Sequence, residues 1–170
     1  MDIQARIEEL QEQESSCARD ISGRKTALYQ AQNTLSHYET EINKASNKIR
    51  EYTNLKNSFN TLGGDLGTLK TSLSDLATNL KSLGSGNFMQ EILVNVRQKS
   101  STVTSTNNST KSIIASIDEK LKYYNGQLDY YKPLRDGIQR EIKSNEQYIA
   151  KQEEILERIR SELREILGSY

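Results

Sequence analysis

The sequence predicts an all-α protein: a long antiparallel coiled-coil helical hairpin with its turn near residues 84–87. The first observation behind this prediction is a heptad pattern. Apolar residues recur at alternating spacings of three and four from Ile3 to Phe59 and again from Ile114 to Tyr170, in two runs of equal length placed symmetrically about the middle of the chain. A repeat kept over about eight heptads is typical of coiled coils, because a 3.5-residue period keeps one seam facing a partner helix.

The second observation is a helix-breaking cluster between the two runs. Its turn residues are Gly84, Ser85 and Gly86, between Leu83 and Asn87. If the two runs fold back antiparallel, residue i faces about residue 173 − i, so Phe59 faces Ile114 and the chain reverses near Gly86. The seam and the turn chemistry therefore predict the same hairpin over residues 1–170.

The first arm is expected to weaken before it reaches the turn. After Tyr52 the apolar pattern shortens by one step, and a leucine-rich segment then extends from Leu55 to Leu83. This segment contains Gly63, Gly64 and Gly67, each of which costs about 1 kcal/mol relative to alanine in a helix interior. We therefore expect a hinge or a true break near residues 60–67.

The second arm carries a weak stretch at the same level of the hairpin. Residues 98–112 are rich in Ser, Thr and Asn, which are poor helix formers. The two weak stretches predict three parts: a stalk (1–59 with 114–170), a flexible joint (60–67 with 98–112) and a small head (about 66–97).

The head is the region expected to recognise a partner. Its apolar residues on the two arms can pack on each other at helical spacing. The predicted partner-binding residues of the head are Leu69, Leu73, Leu76, Leu80, Leu83, Phe88, Met89, Ile92 and Val96.

Tyrosines and the only proline mark the second arm. Tyr124 and Tyr131 fall on the seam and are expected in the core, whereas Tyr123 and Tyr130 lie beside it and are added to the predicted partner-binding residues. Pro133 removes a helix hydrogen bond and clashes with the preceding turn, so we expect a kink there.

Composition and charge exclude several classes of protein. With 34% hydrophobic and 27% charged residues, the chain suits a thin helical rod better than a globule with a broad core. The 23 basic residues balance 23 acidic residues without a basic block, which argues against nucleic-acid binding. No apolar stretch reaches the roughly 20 residues of a membrane span, so we expect no membrane insertion. The N-terminus has no signal-peptide apolar region, which predicts synthesis in the cytosol and, if the protein is exported, a route that reads no cleaved signal.

No catalytic, metal-binding or cofactor-binding constellation emerges from the sequence. His37 is the only histidine, which removes the usual general base and most zinc sites. Cys17 lies on the seam, where the choice is between a buried core thiol and an intermolecular disulfide. We expect a protein that is not an enzyme and that uses no cofactor.

Polar residues interrupt the apolar seam at six positions. They are Glu14, Arg24, Lys56, Arg135, Asn145 and Gln152. Such residues commonly fix register or oligomeric state at some cost in stability, and the alternative is simple tolerance near solvent.

A hairpin with a central glycine turn, no signal peptide and balanced charge resembles the WXG-type helical proteins of Gram-positive type VII secretion. It is closer to their longer relatives, which are encoded beside LXG-type toxins. Family members carry Trp-x-Gly at the turn, whereas this chain has no tryptophan, and the family's Tyr-x-x-x-acid export signal is missing. The resemblance implies a partner protein that binds the N-terminal helical domain of a toxin and supports its recruitment for export.

Two further functions remain open from the sequence. The chain could be a structural coiled-coil spacer or tether that acts as a homodimer, with its length as its function. It could also be an amphipathic-helix protein that opens its apolar head onto lipid.

Overall fold

The computed structural model describes residues 3–84 and 86–168 and confirms the predicted fold class. Two long α-helices pack against each other as a helical hairpin: α1 (Ile3–Ser82) and α2 (Asn87–Gly168). No strand occurs among these residues.

The turn lies where the glycine cluster predicts it. The Leu83 N–H donates to the Leu80 carbonyl at 3.3 Å as α1 ends, and Gly84 has a φ of 130°, which an L side chain rarely adopts. The Gly86 carbonyl then accepts the Gln90 N–H at 3.1 Å and opens α2. Ser85, the third predicted turn residue, lies outside the described residues.

Contacts between the helices divide the chain into two units. Unit 1 comprises the described residues of Met1–Asn43 and Asp129–Tyr170, and unit 2 comprises Lys44–Leu128. Each unit contains one segment of α1 and one segment of α2. The predicted stalk, joint and head have other boundaries and stay predictions.

Unit 1 is held together by two apolar clusters on the predicted seam. One contains Cys17, Ile21, Ile149 and Leu156, with Leu28 packed against it. The other contains Leu10, Ile159 and Leu163, with Ile7 and Ile166 at its margin. The free Cys17 thiol is buried, as the core interpretation of this residue expects. These pairings follow the antiparallel register inferred from the heptads.

Unit 2 has a thinner core. Its buried apolar residues are Ala45, Leu93, Val96, Val103 and Ile117. The rings of Tyr52 and Tyr124 stack across the two helices with centroids 5.8 Å apart, and Gly63 lies against Thr110, the pairing that the rule 173 − i predicts.

Both weak stretches are helical. α1 continues through residues 60–67 without the break that the glycines allowed, and α2 continues through 98–112 and through Pro133. In 98–112 the threonine hydroxyls donate to carbonyls one turn earlier, for example from Thr102 to Gln98 and from Thr106 to Thr102. These bonds satisfy the polar side chains inside the helix itself.

Candidate helix-binding surface

A stripe of half-exposed leucines is the most unusual surface of unit 2. Leucine occupies every seventh position from 55 to 83, four times within α1 and once directly after its end. Leu55, Leu62, Leu69 and Leu76 are 43%, 41%, 46% and 45% exposed, and Leu83 is 71% exposed. We call these five residues the leucine stripe. Scattered exposed leucines are ordinary, but a regular apolar row on a helix indicates a contact surface.

The stripe is exposed because it lies beside the face of α1 that packs on α2, where Phe59, Gly63 and Leu66 are less exposed. Between Val96 and Ile114 the heptad positions of α2 are Ser100, Val103, Asn107 and Thr110. Three leucines of α1 that lie between the stripe positions are half-buried: Leu66, Leu73 and Leu80. Exposed and half-buried leucines therefore alternate along this part of α1. The hairpin alone therefore covers only part of this apolar face.

The predicted head residues on α2 differ widely in exposure. Phe88 is largely exposed, Met89 and Ile92 are half-buried, and Val96 is buried. Val96 thus supports the interior of unit 2, whereas Phe88 and Leu83 are accessible beside the turn. The assignment of these residues to partner binding stays a prediction.

Each of the two flanking tyrosines is exposed in its own unit. Tyr123 lies beside Tyr124 in unit 2, and Tyr130 lies beside Tyr131 in unit 1, with ring centroids 5.1 Å apart in both pairs. The seam tyrosines Tyr124 and Tyr131, expected in the core, are half-buried, and the ring centroids of Tyr131 and Tyr38 lie 5.8 Å apart. Tyr123 and Tyr130 therefore present large amphipathic rings to solvent.

The polar seam residues mostly meet partners on the opposite helix. In unit 1, Glu14 pairs with Arg160 at 2.8 Å, and the Gln152 oxygens accept from the Cys17 thiol at 3.3 and 3.4 Å. In unit 2, Lys56 pairs with Asp118 at 2.6 Å. These contacts support the interpretation that polar seam residues fix the register of the hairpin.

Arg24 and the buried Asn145 form the centre of a polar layer in unit 1. An Arg24 guanidinium N–H donates to Asn145 Oδ1 at 3.3 Å, and the guanidinium lies 4.6 Å from the Tyr148 ring centroid. The Tyr148 hydroxyl donates to the Asp20 carboxylate. Arg135, the remaining polar seam residue, pairs only with its neighbour Asp136 among the bonds described.

The heptad pattern of the sequence did not predict some of these contacts. Neither Asp20 nor Tyr148 lies on the apolar seam, so the heptad pattern does not single out their bond. The same holds for two ion pairs that join the helices of unit 1, Arg6 with Glu162 and Lys25 with Glu153. Antiparallel register is the only signal that places these residues near each other.

Local hydrogen bonds raise the pKa values of four titratable side chains. The bond to Asp20 raises the pKa of Tyr148, with partial desolvation as the second cause. Carboxylate partners likewise raise the pKa of Arg6, Lys48 and Arg160. All four shifts arise from pairing on helix surfaces and are of the kind that structural ion pairs produce.

The described residues hold no group of side chains that could bind a metal ion and leave no buried polar side-chain atom unpaired. Across residues 3–84 and 86–168, no three His, Cys, Asp or Glu side chains converge as a metal site would require. Every buried side-chain nitrogen or oxygen in that part of the chain has a hydrogen-bond partner. The same residues include no helix that combines the length and apolarity needed to cross a membrane.

The fold and its surface define an all-α helical hairpin with a partly uncovered leucine face. No family model, no curated protein and no solved structure matches the chain.

Proposed function

We propose that this protein is a non-enzymatic binding protein that works through helix–helix contacts. The leucine stripe is the observation that carries the proposal. In the folded hairpin, five leucines at one heptad position are still 41–71% exposed. A helical partner typically buries an apolar row of this kind.

The partner that we propose is the N-terminal helical domain of an LXG-type toxin, bound side by side with the hairpin. The resemblance to type VII secretion partners supports this choice, together with the architecture of two long packed helices. Within unit 2, the contact would be formed by the leucine stripe, Phe88, Met89, Ile92 and Tyr123. Tyr130 of unit 1 stays a predicted partner-binding residue by itself. The protein would then support recruitment of the toxin to a signal-peptide-independent export route.

Purification of the tagged full chain from its native host tests this proposal. We expect a stoichiometric complex with a larger protein whose helical N-terminal domain precedes a toxin domain. Leu76→Lys should release that protein, because it places a charge in the stripe. Leu167→Lys is the matched control, since Leu167 is also exposed but lies in unit 1. Full retention of the toxin by Leu76→Lys would contradict the assigned surface.

The second candidate function is a structural spacer or tether that acts as a homodimer. The exposed leucine stripe is the observation that favours it, since a second copy of the chain is also a helical partner that could cover this row. Recovery of the tagged protein alone, as a dimer, would support this function over the toxin partner.

A further inference from the structure

The turn of unit 2 carries the two most exposed large apolar side chains of residues 3–84 and 86–168. They are Leu83, which is 71% exposed directly after α1, and Phe88, which is 72% exposed in the first turn of α2. The sequence from 82 to 90, which contains both, has no charged residue. We call Leu83 and Phe88 the apolar tip.

The interior of unit 2 begins directly behind the apolar tip. Leu80 and Met89 are half-buried, and Leu93 is buried. Unit 2 comprises one segment of each helix, so no further segment of this unit covers the turn. An end of this kind can touch a flat surface, whereas it offers no groove in which a partner helix would lie side by side.

Three cations accompany the apolar tip. They are Lys81, Arg97 and Lys99, which are all exposed and make no hydrogen bond or ion pair within residues 3–84 and 86–168. Glu91 is the only acidic residue between positions 76 and 99. The apolar tip therefore lies in a stretch of the hairpin with an excess of positive charge.

The antiparallel register brings two of these cations to facing positions. Lys81 and Arg97 lie eight heptads from Lys25 and Glu153, the equivalent positions of unit 1, which form an ion pair at 2.7 Å. In unit 2 both positions are basic, so the two side chains cannot neutralise each other. An anion from outside the chain would be attracted to this side of the turn.

We propose that the apolar tip docks on an anionic lipid surface. Leu83 and Phe88 enter the interfacial layer, and the three cations lie near the anionic headgroups, the combination by which amphipathic segments bind such surfaces. The contact is shallow and needs no helix that crosses the bilayer. It does not depend on the toxin partner, and it leaves the leucines from Leu55 to Leu76 available to a helical partner.

Binding of the full chain to vesicles of equal parts phosphatidylcholine and phosphatidylglycerol, measured by co-sedimentation, is the first test. Leu83→Ser combined with Phe88→Ser should weaken this binding at least about tenfold, because each serine removes apolar surface from the interface. Tyr29→Ser combined with Leu167→Ser is the matched control, since both residues are exposed in unit 1, and it should leave the binding unchanged. Circular dichroism checks that each variant keeps its helix content.

Two results of this experiment would overturn the proposal. One is the absence of wild-type binding up to about 5 mM lipid, beyond the Kd range of weak contacts. The other is binding that does not respond to the substitutions in the apolar tip.

Charge removal tests the role of the three cations. Glutamine at positions 81, 97 and 99 together should lower the affinity for the anionic vesicles at least about tenfold. It should not change the affinity for vesicles of phosphatidylcholine alone. The control has glutamine in place of Lys132, Lys143 and Lys151, which removes the same charge from exposed positions of unit 1. An equal loss in both triple variants would show that only net charge matters and would overturn the proposed site.

Tryptophan fluorescence gives an independent readout of the docking position. The chain contains no tryptophan, so a single introduced one reports its own surroundings. Emission from Phe88→Trp should shift to the blue on addition of the anionic vesicles and be quenched by brominated lipid. Tyr29→Trp, exposed in unit 1, should show neither change. Equal changes at both positions, or none at position 88, would overturn the proposal. A stable toxin complex without vesicle binding would refute this inference while leaving the proposed function in place.

Discussion

Single polar residues on the seam carry information about pairing that the apolar residues lack. A leucine can slip by one heptad and still meet another leucine, whereas Arg24 meets the buried Asn145 in only one register. The sequence singled out these seam positions. It did not predict the bond between Tyr148 and Asp20, because both residues lie off the seam and only a three-dimensional register brings them together.

Gly84 is expected to be the glycine that the hairpin needs most. Its φ of 130° strains any L side chain, so Gly84→Ala should lower the free energy of unfolding by about 1–3 kcal/mol. Gly64→Ala is the control, and its expected effect on the free energy of unfolding has the opposite sign. Gly64 is helical with open space where a Cβ would be added, and its replacement should stabilise the protein by about 0.5–1 kcal/mol. Urea unfolding followed by circular dichroism measures both changes, and equal signs would refute the assignment.

Tyr148 should make the stability depend on pH in the alkaline range. Because the bond to Asp20 raises the pKa of Tyr148 above its ordinary value of 10.0, folding favours the protonated phenol. That contribution is complete below about pH 10 and is lost as the pH rises through the folded-state pKa. Tyr148→Phe should therefore be less stable than the wild type at pH 7, and the difference should shrink above pH 10.

Urea unfolding at pH 7 and pH 11 measures this difference. Tyr29→Phe is the control, since Tyr29 is exposed in the same unit. A stability difference between Tyr148→Phe and the wild type that stays constant across both pH values would contradict the role of the Asp20 bond.

At the scale of the helices, heptad periodicity proved a better guide than local propensity. The apolar pattern predicted both helices, their antiparallel pairing and the turn. The glycines at 60–67 suggested a break that α1 does not show. A helix interior tolerates a cost of about 1 kcal/mol per glycine when its flanking turns are held by packing, and half-buried Leu66 and Leu73 provide such packing here.

Pro133 is expected to be the most costly single residue of α2. It lies inside the helix, is exposed and removes one backbone hydrogen bond. Pro133→Ala should raise the free energy of unfolding by about 3 kcal/mol. Ser144→Ala, a change at another exposed helical site of unit 1, should alter it by less than about 0.5 kcal/mol. A Pro133→Ala protein no more stable than this control would show that the helix already compensates for the proline.

For the molecule as a whole, the sequence predicted where the leucines lie but not how far they are covered. Leu62, Leu69 and Leu76 are exposed because they lie beside the face on which α1 packs against α2, and Gly63 marks that face by its approach to Thr110 and Asn107. The polarity of residues 98–112 suggested a weak helix. In the hairpin this stretch is helical, and the leucine row beside the packed face of α1 stays exposed. This exposed row is the surface on which the proposed functions depend.

The most direct test of helix–helix binding is the intact mass of the particle that contains this chain when it is purified under native conditions from its host. We predict a mass that exceeds one chain, either two copies or one copy with another helical protein, and one that falls to a single chain when Leu69→Gln and Leu76→Gln are combined. A particle that has the mass of one chain at micromolar concentration, with or without these substitutions, would contradict the account.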